Sequence, residues 1–177
     1  RVLPTASQRA DWGLPADKVL LCAFHQSYKI SAEVFDAWCR ILQRVPDAVL
    51  WLLDDNASAT RELKKQVAYH GVPLDRVVFA KRTSHLNYRA RLQMADLYLD
   101  TTPYNAGSTA RDVLDARLPM VTLSGKTFIS RMAGSMLHAA GVGELVTHSH
   151  TDYEDTVVAL AHAPERIAQL KQTLELQ

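Results

Sequence analysis

The sequence predicts an α/β fold, doubly wound around a mainly parallel sheet with helices on both faces. Three observations carry that prediction. Short apolar runs of strand length recur along the chain, none of them alternates cleanly with polar residues, and longer runs with apolar residues every three or four positions separate them. Strands without alternation are buried on both faces, as in a parallel sheet covered by helices.

The elements follow in order. "KVLLCAF" (18–24) is a first strand. After "HQSYKI" comes a run in which Val34, Phe35, Trp38, Ile41, Leu42 and Val45 share one helical face, with Ser31 placed to cap it and Pro46 to end it. "AVLWLLD" (48–54) is a strand, and "SATRELKKQVAYHG" is a helix closed by Gly71. "RVVFA" (76–80), "SHLNYRARLQMA" (84–95) and "DLYLD" (96–100) read as strand, helix and strand. The turn "PYNAGSTARD" (103–112) opens a short helix to Ala116, followed by the strand "LPMVTL" and the helix "TFISRMAGSMLHAAG", stopped by Gly141. A short "ELV" precedes two polar-faced helices, near 152–162 and 164–176. With no repeat or low-complexity linker, residues 1–177 are expected to form one domain.

The bulk composition narrows the function classes. With 47% hydrophobic and 22% charged residues, the 177-residue chain can bury a core. A net charge of +1 favours neither nucleic acid nor a membrane surface as partner, so any anion must be held by a local site. Cys22 and Cys39 lie in apolar runs without a CxxC pattern, and are expected as buried thiols in a reducing compartment. No run of ~18 apolar residues offers a membrane span. The opening "RVLPTASQRADWGLP" lacks the apolar centre of a signal peptide. A cytoplasmic location is therefore expected. No cluster with metal-ligand spacing is visible, His148 and His150 are expected to face solvent, and "SGKT" is no P-loop because Met120 stands where its first glycine belongs.

In open α/β sheets ligands bind beyond the carboxyl ends of the strands. The turns there offer His25, Gln26, Tyr28 and Lys29 after the first strand, and Lys81, Arg82 and His85 after the third. The fourth turn supplies Thr101 to Asp112, and the fifth Ser124, Gly125, Lys126, Thr127, Ser130 and Arg131. Gly107, Ser108 and Thr109 fall where a helix begins, so free N–H groups and the helix dipole would suit a phosphate. Asp112, one helical turn on, could take ribose hydroxyls. The residues alone leave a second reading open, in which Ser108 or Thr109 merely caps the helix and Asp112 is a first-turn acid. Lys29 is ambiguous in the same way, either solvated or set against a diphosphate.

The chain resembles the C-terminal catalytic lobe of the O-linked N-acetylglucosamine transferase family, including its bacterial, tetratricopeptide-repeat-associated members. The resemblance runs through "WGLPADKVLLCAFHQSYKISAEVFDAWCRILQRVPDAVLWLL" and "QMADLYLDTTPYNAGSTARDVLDARLPMVTLSGKTFISRMAGSMLHAAGVGELV". It implies the Rossmann-like donor lobe of a GT-B, inverting, metal-independent glycosyltransferase, moving GlcNAc from UDP-GlcNAc to Ser or Thr of proteins. Carried over by position, Gln26 and Lys29 match the family's Q-x-x-K, the lysine neutralising the diphosphate of the leaving UDP. Ser108 and Thr109 match its paired threonines at the phosphate, and Asp112 its ribose aspartate. His85 stands opposite a family lysine and Tyr88 opposite a family histidine, near the uracil and ribose. Gly107 stands where some members carry a histidine, Asp115 where a large apolar residue is common, and Arg117 where a glycine is usual. The resemblance also implies that protein acceptors are bound by an N-terminal lobe and repeats that this chain does not contain. Alternatives are a related asparagine N-glucosyltransferase and a degenerate nucleotide-binding or interaction module.

Overall fold

The computed structural model describes residues 9–101, 108–125 and 128–177, with the side chains at 85, 86, 108 and 128–130 outside that description. Among the described residues six strands form one parallel sheet: β1 (Val19–Ala23), β2 (Ala48–Asp54), β3 (Val77–Lys81), β4 (Leu97–Leu99), β5 (Met120–Leu123) and β6 (Val146–Thr147). Their spatial order is β3-β2-β1-β4-β5-β6. The chain builds outward from β1 to β3 and then crosses back to lay β4 on the other side of β1. Leu21 pairs with Leu50 on one flank and with Leu97 on the other. Among the described residues five α-helices connect the strands, α1 (Ala32–Arg44), α2 (Ala57–Tyr69), α3 (His85–Met94), α4 (Ser108–Asp115) and α5 (Phe128–Ala139), and two more follow β6, α6 (His150–Ala161) and α7 (Pro164–Glu175). The doubly wound α/β prediction holds. None of the described helices is long and apolar enough to cross a membrane.

The near-continuous apolar strands have the expected cause. Leu20, Leu21, Cys22, Ala23, Leu50, Trp51, Leu52, Leu97, Tyr98 and Leu99 are buried whichever way they point along the strand. Both sheet faces are therefore covered, α1 packing with α6, and α4 packing between α3 and α5. Cys22 and Cys39 are buried free thiols, as expected of those apolar runs.

Helix starts obey local chemistry. Ser31 Oγ accepts the Val34 N–H at 3.2 Å, and Ser84 Oγ accepts that of Asn87 at 3.3 Å. Two starts fall earlier than the sequence pattern places them. Asn56 Oδ1 caps α2 through the Ala59 N–H, and Ser149 Oγ caps α6 through that of Asp152, so His150 is already helical. His150 is also not simply solvated, because its Nε2 lies 3.0 Å from Glu33 Oε1 on α1. Two more pairs, Arg40–Glu154 and Arg44–Asp155, continue that seam between α1 and α6.

Past the end of α4 the backbone of Arg117 is left-handed, at φ 59°. An L-residue with a Cβ is disfavoured there and glycine is not, which gives a physical sense to the glycine that the family resemblance leads one to expect at this position. Arg117 is exposed, so its side chain contributes little packing. Arg117→Gly is therefore expected to stabilise the fold by roughly 0.5–1 kcal/mol, raising Tm by about 2 °C in a thermal melt.

A buried polar chain ties the centre together. Trp38 Nε1 donates to Tyr153 Oη at 3.1 Å, and Tyr153 Oη donates to the Asp100 carbonyl at 2.9 Å. The Asp100 carboxylate accepts from the Thr101 N–H at 2.8 Å and from Thr122 Oγ1 at 2.6 Å. α1, β5 and α6 thereby converge on the last residue before the fourth turn.

Candidate functional site

A cleft of about 460 Å3 opens at the carboxyl edge of the sheet, where the strand order reverses. Phe24, His25, Gln26 and Lys29 come to it from the end of β1, and Leu53 from β2. Arg82 and Thr83 follow β3, Tyr88 and Arg91 project from α3, and Thr109 lies in the first turn of α4. Residues of the first turn and Thr109 at the start of α4 thus line one cleft at the switch point, where such folds hold ligands.

Gln26 and Lys29 sit on a short 3₁₀ turn, Ser27–Lys29, in which the Lys29 N–H donates to the Gln26 carbonyl at 2.9 Å. That turn lifts Lys29 over the cleft instead of leading straight into α1. Its Nζ lies 5.9 Å from the centre of the Tyr28 ring, which is itself exposed. Opposite, Thr109 lies one residue into α4, beside main-chain N–H groups that lack helical partners. An anion between them meets a lysine charge on one side and a helix N-terminus on the other.

Tyr88 is half-buried against Phe24, ring centres 6.1 Å apart. Burial pushes its phenol up, and the charges of Cys22 and Asp112 add to that. Asp112 is half-buried on α4, near enough to act on Tyr88 but away from the cleft lining. The backbone at 85 opens α3 and that at 108 opens α4, while the side chains of His85 and Ser108 lie outside the described residues. Gly107, Lys126 and Thr127 lie wholly outside them. Lys81 closes β3 and does not line the cleft, whereas its carbonyl takes Arg91 Nη1 at 2.6 Å.

Arg91 is the contribution that sequence reasoning missed. Its guanidinium is buried, lying 4.3 Å from the centre of the Trp12 ring, and its Nε has no hydrogen-bond partner. Burial lowers its pKa from the usual arginine value. The bond to the Lys81 carbonyl and the Trp12 ring hold the guanidinium in place at the wall of the cleft. The available signal was spacing, since Arg91 lies three residues after Tyr88 and so on the same helical face.

His25, a polar candidate of the first turn, is buried, and its Nε2 donates to the Leu99 carbonyl at 2.8 Å. Burial drives its pKa down to about 4, with the Lys29 charge adding and the Leu99 hydrogen bond opposing. It is therefore a neutral brace between β1 and β4. Because the folded pKa lies below the unfolded 6.5, its contribution is complete above that pH and is lost as pH falls toward 4. Urea titrations should show His25→Asn, which keeps a donor for Leu99, losing about 2 kcal/mol less than wild type between about pH 7.5 and pH 5. An equal loss in both proteins would mean that His25 does not titrate this way.

Comparison with known proteins gives a consistent picture. Residues 3–176 match the model of Glycosyl transferase family 41. Over 155 residues the chain is 37% identical to a probable UDP-N-acetylglucosamine–peptide N-acetylglucosaminyltransferase of Arabidopsis thaliana, covering 87% of this chain and 16% of that protein. A lysine-to-methionine mutant of the Thermobaculum terrenum O-GlcNAc transferase superposes with a TM-score of 0.86 at 27% identity, over 93% of this chain and 32% of that one. The C-terminal domain of a Francisella tularensis glycosyl transferase group 1 protein shares the fold, with a TM-score of 0.71 at 12% identity over 97% of this chain and 90% of that one. The chain thus spans about a sixth of the Arabidopsis relative and a third of the Thermobaculum one.

Proposed function

Given that the chain belongs to glycosyl transferase family 41, we propose that it is the donor-binding lobe of a protein O-GlcNAc transferase-like enzyme. In this reading it holds UDP-GlcNAc while an acceptor Ser or Thr hydroxyl, presented by protein outside these 177 residues, attacks the anomeric carbon. The observation that carries it is the cleft, which sets Lys29 opposite Thr109 and the first turn of α4. The names of the relatives support the donor and the acceptor class.

The chemistry follows from the charges. As the bond from the acceptor oxygen to the anomeric carbon forms, its hydroxyl proton passes to a base outside these 177 residues, the bond to the diphosphate oxygen breaks, and negative charge gathers on departing UDP. The Lys29 ammonium and the α4 N-terminus lie where that charge develops, so they stabilise the transition state more than the ground state. A lysine charge and a helix terminus can do this without a metal ion, and none is needed in this reading. Thr109 and Ser108 would hold phosphate oxygens, and Asp112, one helical turn beyond Thr109 and outside the cleft lining, is the proposed partner of the ribose hydroxyls. Gln26, Tyr88, Arg91 and His85 would enclose the rest of the nucleoside, with Gly107 letting the backbone come close.

Calorimetric titration of the 177-residue chain with UDP, beside UMP and ADP, tests the proposal. UDP should bind more tightly than either. Failure to bind at millimolar concentration would overturn it.

A further inference from the structure

The 3₁₀ turn that carries Lys29 has no cap of its own, since the Gln26 side chain makes no bond to it. Its leading N–H, that of Ser27, instead donates to Asp55 Oδ2 at 3.0 Å, and Ser27 Oγ lies 3.4 Å from the same oxygen. Asp55 belongs to another connection, between β2 and α2. It is held there by rigid neighbours, with Asp54 Oδ1 accepting from Thr60 Oγ1 at 2.7 Å and Asn56 capping α2. Its second oxygen, Oδ1, is buried with no hydrogen-bond partner. A carboxylate that leaves one oxygen unsatisfied is a poor device for stability alone.

We propose that Asp55 is a positioning residue, a latch from the β2–α2 connection that fixes the Ser27–Lys29 turn and so sets where the Lys29 ammonium stands over the cleft. The latch acts through its hydrogen bond. Its negative charge by itself would oppose a diphosphate nearby, so removing the bond and removing the charge have opposite effects on anion binding. This inference rests on the donor-lobe reading for its ligand, though not for the latch itself.

Two variants separate the effects. Asp55→Ala removes acceptor and charge, whereas Asp55→Asn keeps a carbonyl oxygen for the Ser27 N–H and loses only the charge. Calorimetry should show UDP affinity falling about tenfold in Asp55→Ala, with uridine affinity within about twofold of wild type, because only the diphosphate meets Lys29. Asp55→Asn should bind UDP at least as well as wild type. Amide exchange followed by NMR should show Ser27 and Lys29 losing protection in Asp55→Ala and keeping it in Asp55→Asn. Unchanged UDP affinity in Asp55→Ala, or equal losses for UDP and uridine, would overturn the inference. Should wild type not bind UDP at all, the donor-lobe reading fails, and unchanged exchange at Ser27 in Asp55→Ala would then independently overturn the latch.

Discussion

Lys29→Met is expected to lower UDP affinity by about 10- to 100-fold while leaving uridine affinity within about twofold. The asymmetry comes from placement. Among the described residues Lys29 forms no ion pair, so its charge is available to a ligand, while the other cations lining the cleft, Arg82 and Arg91, come to it from the end of β3 and from α3. Methionine keeps the length and apolar stem of the chain but removes the ammonium, so packing around Tyr28 and Ile30 should survive. His25 offers an internal control. The Lys29 charge helps to depress its pKa, so in Lys29→Met the imidazole titration, followed by NMR, should move upward from about 4. Equal losses of UDP and uridine would show that Lys29 shapes the cleft without meeting the diphosphate.

Tyr153→Phe is expected to cost about 2–4 kcal/mol, lowering Tm by roughly 5–12 °C. The hydroxyl is both acceptor for Trp38 Nε1 and donor to the Asp100 carbonyl, at 3.1 and 2.9 Å, and Tyr153 and Trp38 are almost wholly buried. Removing one oxygen therefore takes a buried partner from both Trp38 Nε1 and the Asp100 carbonyl. The ring itself stays, so the loss reports hydrogen bonding and not a cavity. Thermal melts of the variant beside Tyr153→Leu, which adds a cavity to the same loss, would separate the two contributions. A shift below about 2 °C would mean that the stranded groups find other partners.

Much of the fold was legible because burial leaves periodicity. The strands and the strongly amphipathic helices such as α1 announced themselves by which residues are apolar, and Ser31, Gly71 and Gly141 marked ends that the structure keeps. The pairing of β4 with β1 was not legible, since nothing local in "DLYLD" states which strand will lie beside it. In the site, Gln26, Lys29, Tyr88 and Thr109 were found because they belong to turns or to a matched motif, and all four line one cleft. Arg91 was hidden because its helix has almost no amphipathic pattern, so a buried arginine looks there like a surface one. His25 misled in the opposite direction, a polar turn residue that the fold turns inward. Asp55 in "LDDNAS" reads as an ordinary acidic loop, and its bond to Ser27 exists only once β1 and β2 are paired.

The reversal of strand order also governs how the molecule assembles. Leu20 and Asp96 lie 76 residues apart, yet the Leu20 N–H and carbonyl both bond to Asp96. Closing a loop of that length costs about 4 kcal/mol of chain entropy before the seam returns anything. The segments before and after it can each collapse on nearer contacts, so the seam is expected to zip late. Lys29 and Thr109 lie on opposite sides of that seam. Their cleft therefore comes into being only once that seam has closed, and a ligand gripped by both would act as a staple, holding the two halves of the chain together and slowing their parting.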